Sequence, residues 1–201
     1  MPTSYFADLP QPDDGDEDRP GTSGIWTFVF IDMIVFALLF LVFVSERHRL
    51  PQVFETSQTA LDPTVGLLGT LLLVTSSWSV AEAVHAARGG HTVRARLALD
   101  FAMLLGLAFA VNKLVEYHGK LSHGLTPVSN GFFTFYFLIT GLHFLHVIGG
   151  MAFLGHCRLR LSLEIGSLDY RKKIENTGLF WHFVDMLWLF IFPSLYLTGA
   201  V

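Results

Sequence analysis

The sequence predicts an all-α fold, an integral membrane bundle of five transmembrane helices, and three observations carry that prediction. First, 52% of the 201 residues are hydrophobic, 19 of them Phe, and the mean hydropathy is +0.50. A soluble domain of this size has too little interior to hide so much apolar surface. Second, the apolar residues fall in five long blocks, each near the length of about 20 residues that a helix needs to cross a bilayer. Third, the connections are short, and Pro51, Pro63, Gly89, Gly90 and Pro127 sit at or near the breaks, where chain-breaking residues belong. In hydrocarbon every backbone polar group must be bonded internally, which makes helices the natural assignment.

The first 23 residues hold Asp8, Asp13, Asp14, Asp16, Glu17 and Asp18 against Arg19, with several Pro and Gly. A secretory n-region is basic, so residues 1–23 read as an acidic, disordered or extended tail. Residues 24–201 then form one membrane domain. Its first span, about 24–44, is apolar except for Thr27 and Asp32. The second, about 63–87, loses its apolar character at Glu82 and His85. The third, about 97–117, has Asp100 near its start and Lys113 and Glu116 near its end. The fourth runs over about 131–155 and the fifth over about 177–198. Trp26, Trp78, Tyr117, Trp181 and Tyr196 fall towards span ends, where amphipathic rings favour the interface.

Direction follows from Lys and Arg. Arg19, Arg88, Arg94, Arg96, Arg158, Arg160, Arg171, Lys172 and Lys173 lie on one side, and Arg47, Arg49 and Lys120 on the other. Nine against three predicts a cytoplasmic N-terminus and, with five spans, a C-terminus on the opposite side. The formal net charge of −4 is unevenly distributed, and no nucleic-acid partner is expected. The single Cys157 excludes an intramolecular disulfide and a multi-cysteine metal site.

Ionisable groups within the bilayer need partners, so each is a functional candidate. They are Asp32 on the first span, Glu82 and His85 on the second, and Lys113 and Glu116 on the third. His143 and His146 lie on the fourth, and His182 and Asp185 on the fifth. The last four pairs share a helix face at i and i+3. Three readings follow. Glu82-Ala-Val-His85 has the Glu-x-x-His spacing of di-iron bundles, which would make the chain a di-metal membrane enzyme. A second reading is a buried hydrogen-bond network between helices. The third is proton relay or uptake. Asp32 and Lys113 are expected to pair, as two intramembrane charges of opposite sign. His182 and Asp185 are expected to brace helix packing.

The longest polar-bearing stretches resemble a known family. Phe180-Trp181-His182-Phe183-Val184-Asp185-Met186-Leu187-Trp188-Leu189-Phe190 resembles the W-H-F-V-D-x-x-W-L-F signature of haem-copper (cytochrome c) oxidase subunit III. Thr140-Gly141-Leu142-His143-Phe144-Leu145-His146-Val147-Ile148-Gly149-Gly150 is similar to its T-G-x-H-x-x-H-V-x-x-G, and Glu116-Tyr117 matches its E-Y pair. The resemblance covers about residues 24–201 and looks like the five-helix form of that family. It implies a non-catalytic accessory subunit of a terminal oxidase in aerobic respiration. Such a subunit packs on subunit I in a complex that includes subunit II, binds phospholipid and supports proton uptake and enzyme stability. It further implies no catalytic and no metal-ligating residue here, haem and copper in the partner catalytic subunit, and a multi-pass place in a bacterial inner (plasma) membrane. Asp32 aligns with a membrane carboxylate that is usually Glu in the family. Lys113 stands where many members carry Gln, and its surroundings look more like the short paralogues associated with nitric oxide reductases. An accessory protein of a nitric oxide reductase is therefore the alternative within the family.

Overall fold

A computed structural model describes residues 21–197. Six α-helices follow one another: α1 (Ser23–Arg49), α2 (Pro51–Gln58), α3 (Pro63–Arg88), α4 (Thr92–Ser122), α5 (Gly131–Glu164) and α6 (Leu168–Phe192). A π-helical turn, Pro193–Leu197, continues α6, and the described residues contain no strand. Five helices are long and apolar enough to cross a membrane; the short α2 is the exception. The expected acidic tail lies, but for its last three residues, outside the described residues, as does the end of the fifth expected span.

Local chemistry sets the helix ends. The side chains of Asp62, Asn130 and Ser167 accept the backbone N–H of Thr64 at 2.8 Å, Phe133 at 3.0 Å and Tyr170 at 3.1 Å. Each satisfies an orphan donor of a first turn. Pro63 follows Asp62 at a position where its missing N–H loses nothing. At the far ends of α3 and α4, Gly90 (φ 73°) and Gly124 (φ 77°) adopt left-handed backbone. There the N–H of His91 reaches Ala86 O at 2.9 Å and that of Leu125 reaches Lys120 O at 3.0 Å. These are the six-to-one closures of Schellman turns, which glycine makes without strain.

The helices outrun the apolar spans. α4 starts at Thr92 rather than 97, α5 ends at Glu164 rather than 155, and α6 starts at Leu168 rather than 177. Hydropathy marks only the hydrocarbon part of a helix; the polar ends continue as helix because they pair with one another. Arg158 forks onto Asp100 at 2.6 and 3.0 Å, Arg88 reaches Glu175 at 2.8 Å, and Lys173 reaches Glu164 at 3.2 Å. These contacts form a polar ladder across one end of the bundle. The segment Pro51–Gln58 is amphipathic and tucks Phe54 against Phe43 and Phe132. It was too short and too polar to stand out as a span.

Helices α3 to α6 form the core, with Trp181 and Trp188 among its largest fully buried side chains. Small residues admit these rings. A Cβ on Gly106 would lie 3.0 Å from the Trp181 ring, and one on Gly150 would lie 2.7 Å from it. Helix α1 sits at the edge against α5 and α6, burying Phe36 and Phe43 and exposing Phe30, Ile31, Leu38 and Leu41. Trp181 and Tyr196 correct the interfacial reading of the span-end aromatics: both are buried, whereas Trp26 and Trp78 are exposed.

Candidate functional site

The deepest polar cluster surrounds Lys113. Its ammonium donates to Glu116 Oε2 at 2.9 Å, to Tyr196 Oη at 2.7 Å and to Tyr136 Oη at 3.4 Å. Tyr196 in turn donates to Glu116 Oε1 at 2.7 Å. The Lys113 and Glu116 side chains are 1% and 6% exposed. The rings of Tyr117, Tyr136, Trp188 and Tyr196 stand 4.9–5.4 Å from the ammonium, close enough for cation–π attraction. Four elements build this box: α4 supplies the ion pair and Tyr117, α5 supplies Tyr136, α6 supplies Trp188, and the turn after α6 supplies Tyr196. Beside it, Tyr117 Oη meets Thr140 Oγ1 at 2.8 Å. Thr140 donates back to Tyr136 O, so it accepts from Tyr117.

Asp32 and Lys113, expected to pair, have different partners. Asp32 Oδ1 lies 3.3 Å from His146 Nε2, and His146 Nδ1 lies 2.8 Å from Leu142 O. A carbonyl can only accept, so Nδ1 carries a hydrogen. Nε2 then faces the carboxyl group, whose other oxygen, Asp32 Oδ2, is buried without a partner. The first span had no way to announce which face of α5 it would meet, and α5 presents His146 to it.

His182 and Asp185 do not bond to each other. Ser77 of α3 takes the imidazole instead: its hydroxyl shares a 2.6 Å hydrogen bond with His182 Nδ1. The buried Asp185 Oδ1 has no hydrogen-bond partner. The Ser77–His182 contact links α3 to α6 through a residue the sequence did not single out. Glu82 lies 2.6 Å from the partly exposed Arg94, an ion contact without hydrogen-bond geometry, and His85 next to it is exposed. His143 is fully enclosed between Phe109 and Trp188, with both ring nitrogens unpartnered. Among the described residues no group of three or more His, Cys, Asp or Glu is placed to hold a metal ion. The Glu82–His85 spacing therefore finds no second half.

The nine ionisable residues thus separate into four small sites and one enclosed imidazole. Sequence reasoning found the ionisable groups and missed the hydroxyls that bond them: Ser77, Tyr136 and Tyr196. Nothing in a neutral hydroxyl's local sequence marks it as the partner of a distant charge.

Comparison with known proteins agrees with this architecture. The family model described as Cytochrome c oxidase subunit III matches residues 20–200. Cytochrome c oxidase subunit 3 of Danio rerio is 36% identical over 146 residues, covering 72% of this chain and 55% of that protein. Cytochrome bo(3) ubiquinol oxidase subunit 3 of Buchnera aphidicola is 28% identical over 179 residues, 89% of this chain and 91% of the relative. Cytochrome c oxidase subunit 3 of Bacillus subtilis is also 28% identical over 179 residues, 89% of this chain and 86% of the relative. The chain spans about half the length of the vertebrate relatives, at 55%, and most of the two bacterial ones. With a match running through all five membrane-length helices, the chain belongs to the cytochrome c oxidase subunit III family.

Proposed function

We infer that this chain is a non-catalytic accessory subunit of a haem-copper terminal oxidase, seated in a bacterial plasma membrane. In this reading it packs on subunit I, within a complex that includes subunit II, binds phospholipid, and supports proton uptake and enzyme stability. The observation that carries the reading is the family match across residues 20–200. The geometry is compatible with it. Lys113 and Glu116 neutralise each other inside the bundle, and His182 is tied to α3 through Ser77. The Asp32–His146 contact sets a carboxylate against an imidazole between α1 and α5, the residue types that the proton-uptake part of this reading needs. When present, haem and copper would supply the redox chemistry in the partner subunit; this chain's residues pack, orient and hold protons.

One observation favours a second reading, an accessory protein of a nitric oxide reductase. Lys113 occupies a position where the resemblance leads one to expect Gln, and a whole aromatic box is built around its charge. Extraction of the tagged chain from native membranes in mild detergent tests both. A co-purifying haem subunit supports the accessory role, and its haem type and copper content separate oxidase from reductase. Haem-free preparations with stoichiometric iron or copper in this chain would contradict both readings.

A further inference from the structure

We propose that the face between α1 and α6, centred on His182, is where a transmembrane helix of the haem-bearing partner subunit docks. The proposal rests on the accessory-subunit reading and says which of the bundle's apolar faces meets protein rather than lipid.

Depth and exposure carry the argument. The Arg88–Glu175 ion pair marks the polar edge at one end of α6. His182 lies seven residues further along the helix, roughly 10 Å deeper at about 1.5 Å per residue. Its side chain is nevertheless exposed at the bundle surface. The other ionisable groups in this apolar stretch, namely Asp32, Lys113, Glu116, His143, His146 and Asp185, are buried or half-buried. One ring nitrogen of His182 is held by Ser77 at 2.6 Å, which fixes the ring's orientation. Among the described residues, the other nitrogen, Nε2, has no hydrogen-bond partner. An unmade hydrogen bond is costly in hydrocarbon.

The surroundings say what can make that bond. His182 shares a notch of about 180 Å³ with Ile25, Trp26, Val29, Leu179, Phe183 and Met186. A cavity of about 150 Å³ lined by apolar side chains accepts a benzene ring, so this notch takes one large side chain. A lipid acyl chain would fill the space and leave Nε2 unpaired, and a lipid headgroup sits at the polar edge, too shallow to reach it. A neighbouring helix can deliver both parts at this depth: a side chain with an apolar body and a hydrogen-bonding tip, such as tyrosine or tryptophan. From Met186 at the notch, Leu189 and Phe190 continue the exposed stripe along α6 at helical spacing, giving a partner helix further apolar surface.

Photo-cross-linking in the intact complex in native membranes tests this. A benzoylphenylalanine replaces Met186 beside the notch in one variant, and Leu107 on the exposed side of α4 in another. The expected result is an adduct with the haem-bearing polypeptide from position 186 and lipid adducts only from 107. In parallel, His182→Leu should lower the haem recovered per chain roughly twofold to tenfold, the worth of one hydrogen bond. Adducts with lipid only at 186, or with a second copy of this chain, would overturn the proposal. An adduct with the haem subunit from 107 alone would refute this face and leave the accessory role standing. If no haem polypeptide accompanied the unmodified chain at all, the accessory role would fall, and this proposal with it.

Discussion

Lys113 and Glu116 show how burial changes what an ion pair is worth. The Arg49–Glu46 pair has the same i,i+3 relation and a shorter contact, 2.7 Å, but its side chains are 75% and 31% exposed. Water screens such a pair, and its contribution is about 0–1 kcal/mol. Around Lys113 no water competes, so removing one partner leaves an uncompensated charge among aromatic rings. Lys113→Met or Glu116→Gln alone should therefore destabilise the protein by about 3–5 kcal/mol. The double variant should recover much of the loss, because it removes both charges and their desolvation together. Unfolding of the purified protein in mixed micelles, followed by tryptophan fluorescence, gives the cycle. Strict additivity of the two single effects would contradict the coupling. The i,i+3 spacing made this pair legible from sequence, because local helical geometry determines it. The rest of the site was not: Asp32 meets His146, and Ser77 meets His182, through the rotation of one helix against another, which no local pattern encodes.

In the middle of the bundle, helices meet through glycine and tryptophan. Trp181 is wedged between Gly106 of α4 and Gly150 of α5. Gly150→Ala would bring a methyl to 2.7 Å from the indole, which is clamped on its other side and has nowhere to move. The expected loss is about 1–3 kcal/mol of stability. Gly149→Ala meets nothing within 4 Å, so it should be neutral or stabilise by up to about 1 kcal/mol through helix propensity. Comparing the two unfolding midpoints checks the claim, and equal effects would show that the wedge does not matter. The start of α3 has its own pH dependence. The Thr64 backbone N–H holds the Asp62 carboxyl below its usual range. A depressed value means the cap is in place above the ordinary aspartate value of about 3.9 and is lost as pH falls through the lower folded value. Exchange at the Thr64 amide, corrected for its intrinsic rate, should quicken on acidification below that range, and Asp62→Ala should exchange fast at every pH. The five long helices were legible because a span of about 20 apolar residues has few other fates. Their true ends were not, because the terminal turns are polar and held by cross-helix pairs such as Arg158 with Asp100.

At the scale of the whole molecule, Lys and Arg sit unevenly on the two ends of the bundle, and this predicts a direction across the membrane. The connections of α3 to α4 and of α5 to α6 share one end with Arg88, Arg94, Arg96, Arg158, Arg160, Arg171, Lys172 and Lys173. The opposite end, with the connections around α2 and before α5, carries Arg47, Arg49 and Lys120. Several cations of the richer end are paired with Glu82, Asp100, Glu164 and Glu175. Net charge would therefore understate the bias, but insertion responds to Lys and Arg, with acidic residues contributing little. The end bearing Leu168 should face the cytoplasm, and the end bearing Val128 the other side. Both side chains are uncharged and well exposed, 69% and 90%, so cysteines there leave the charge balance intact. The one native cysteine, Cys157, is buried and is removed as Cys157→Ser. A membrane-impermeant maleimide added to right-side-out membranes should label Val128→Cys and spare Leu168→Cys, and permeabilisation should expose both. The reverse pattern would mean that the polar ladder lies outside.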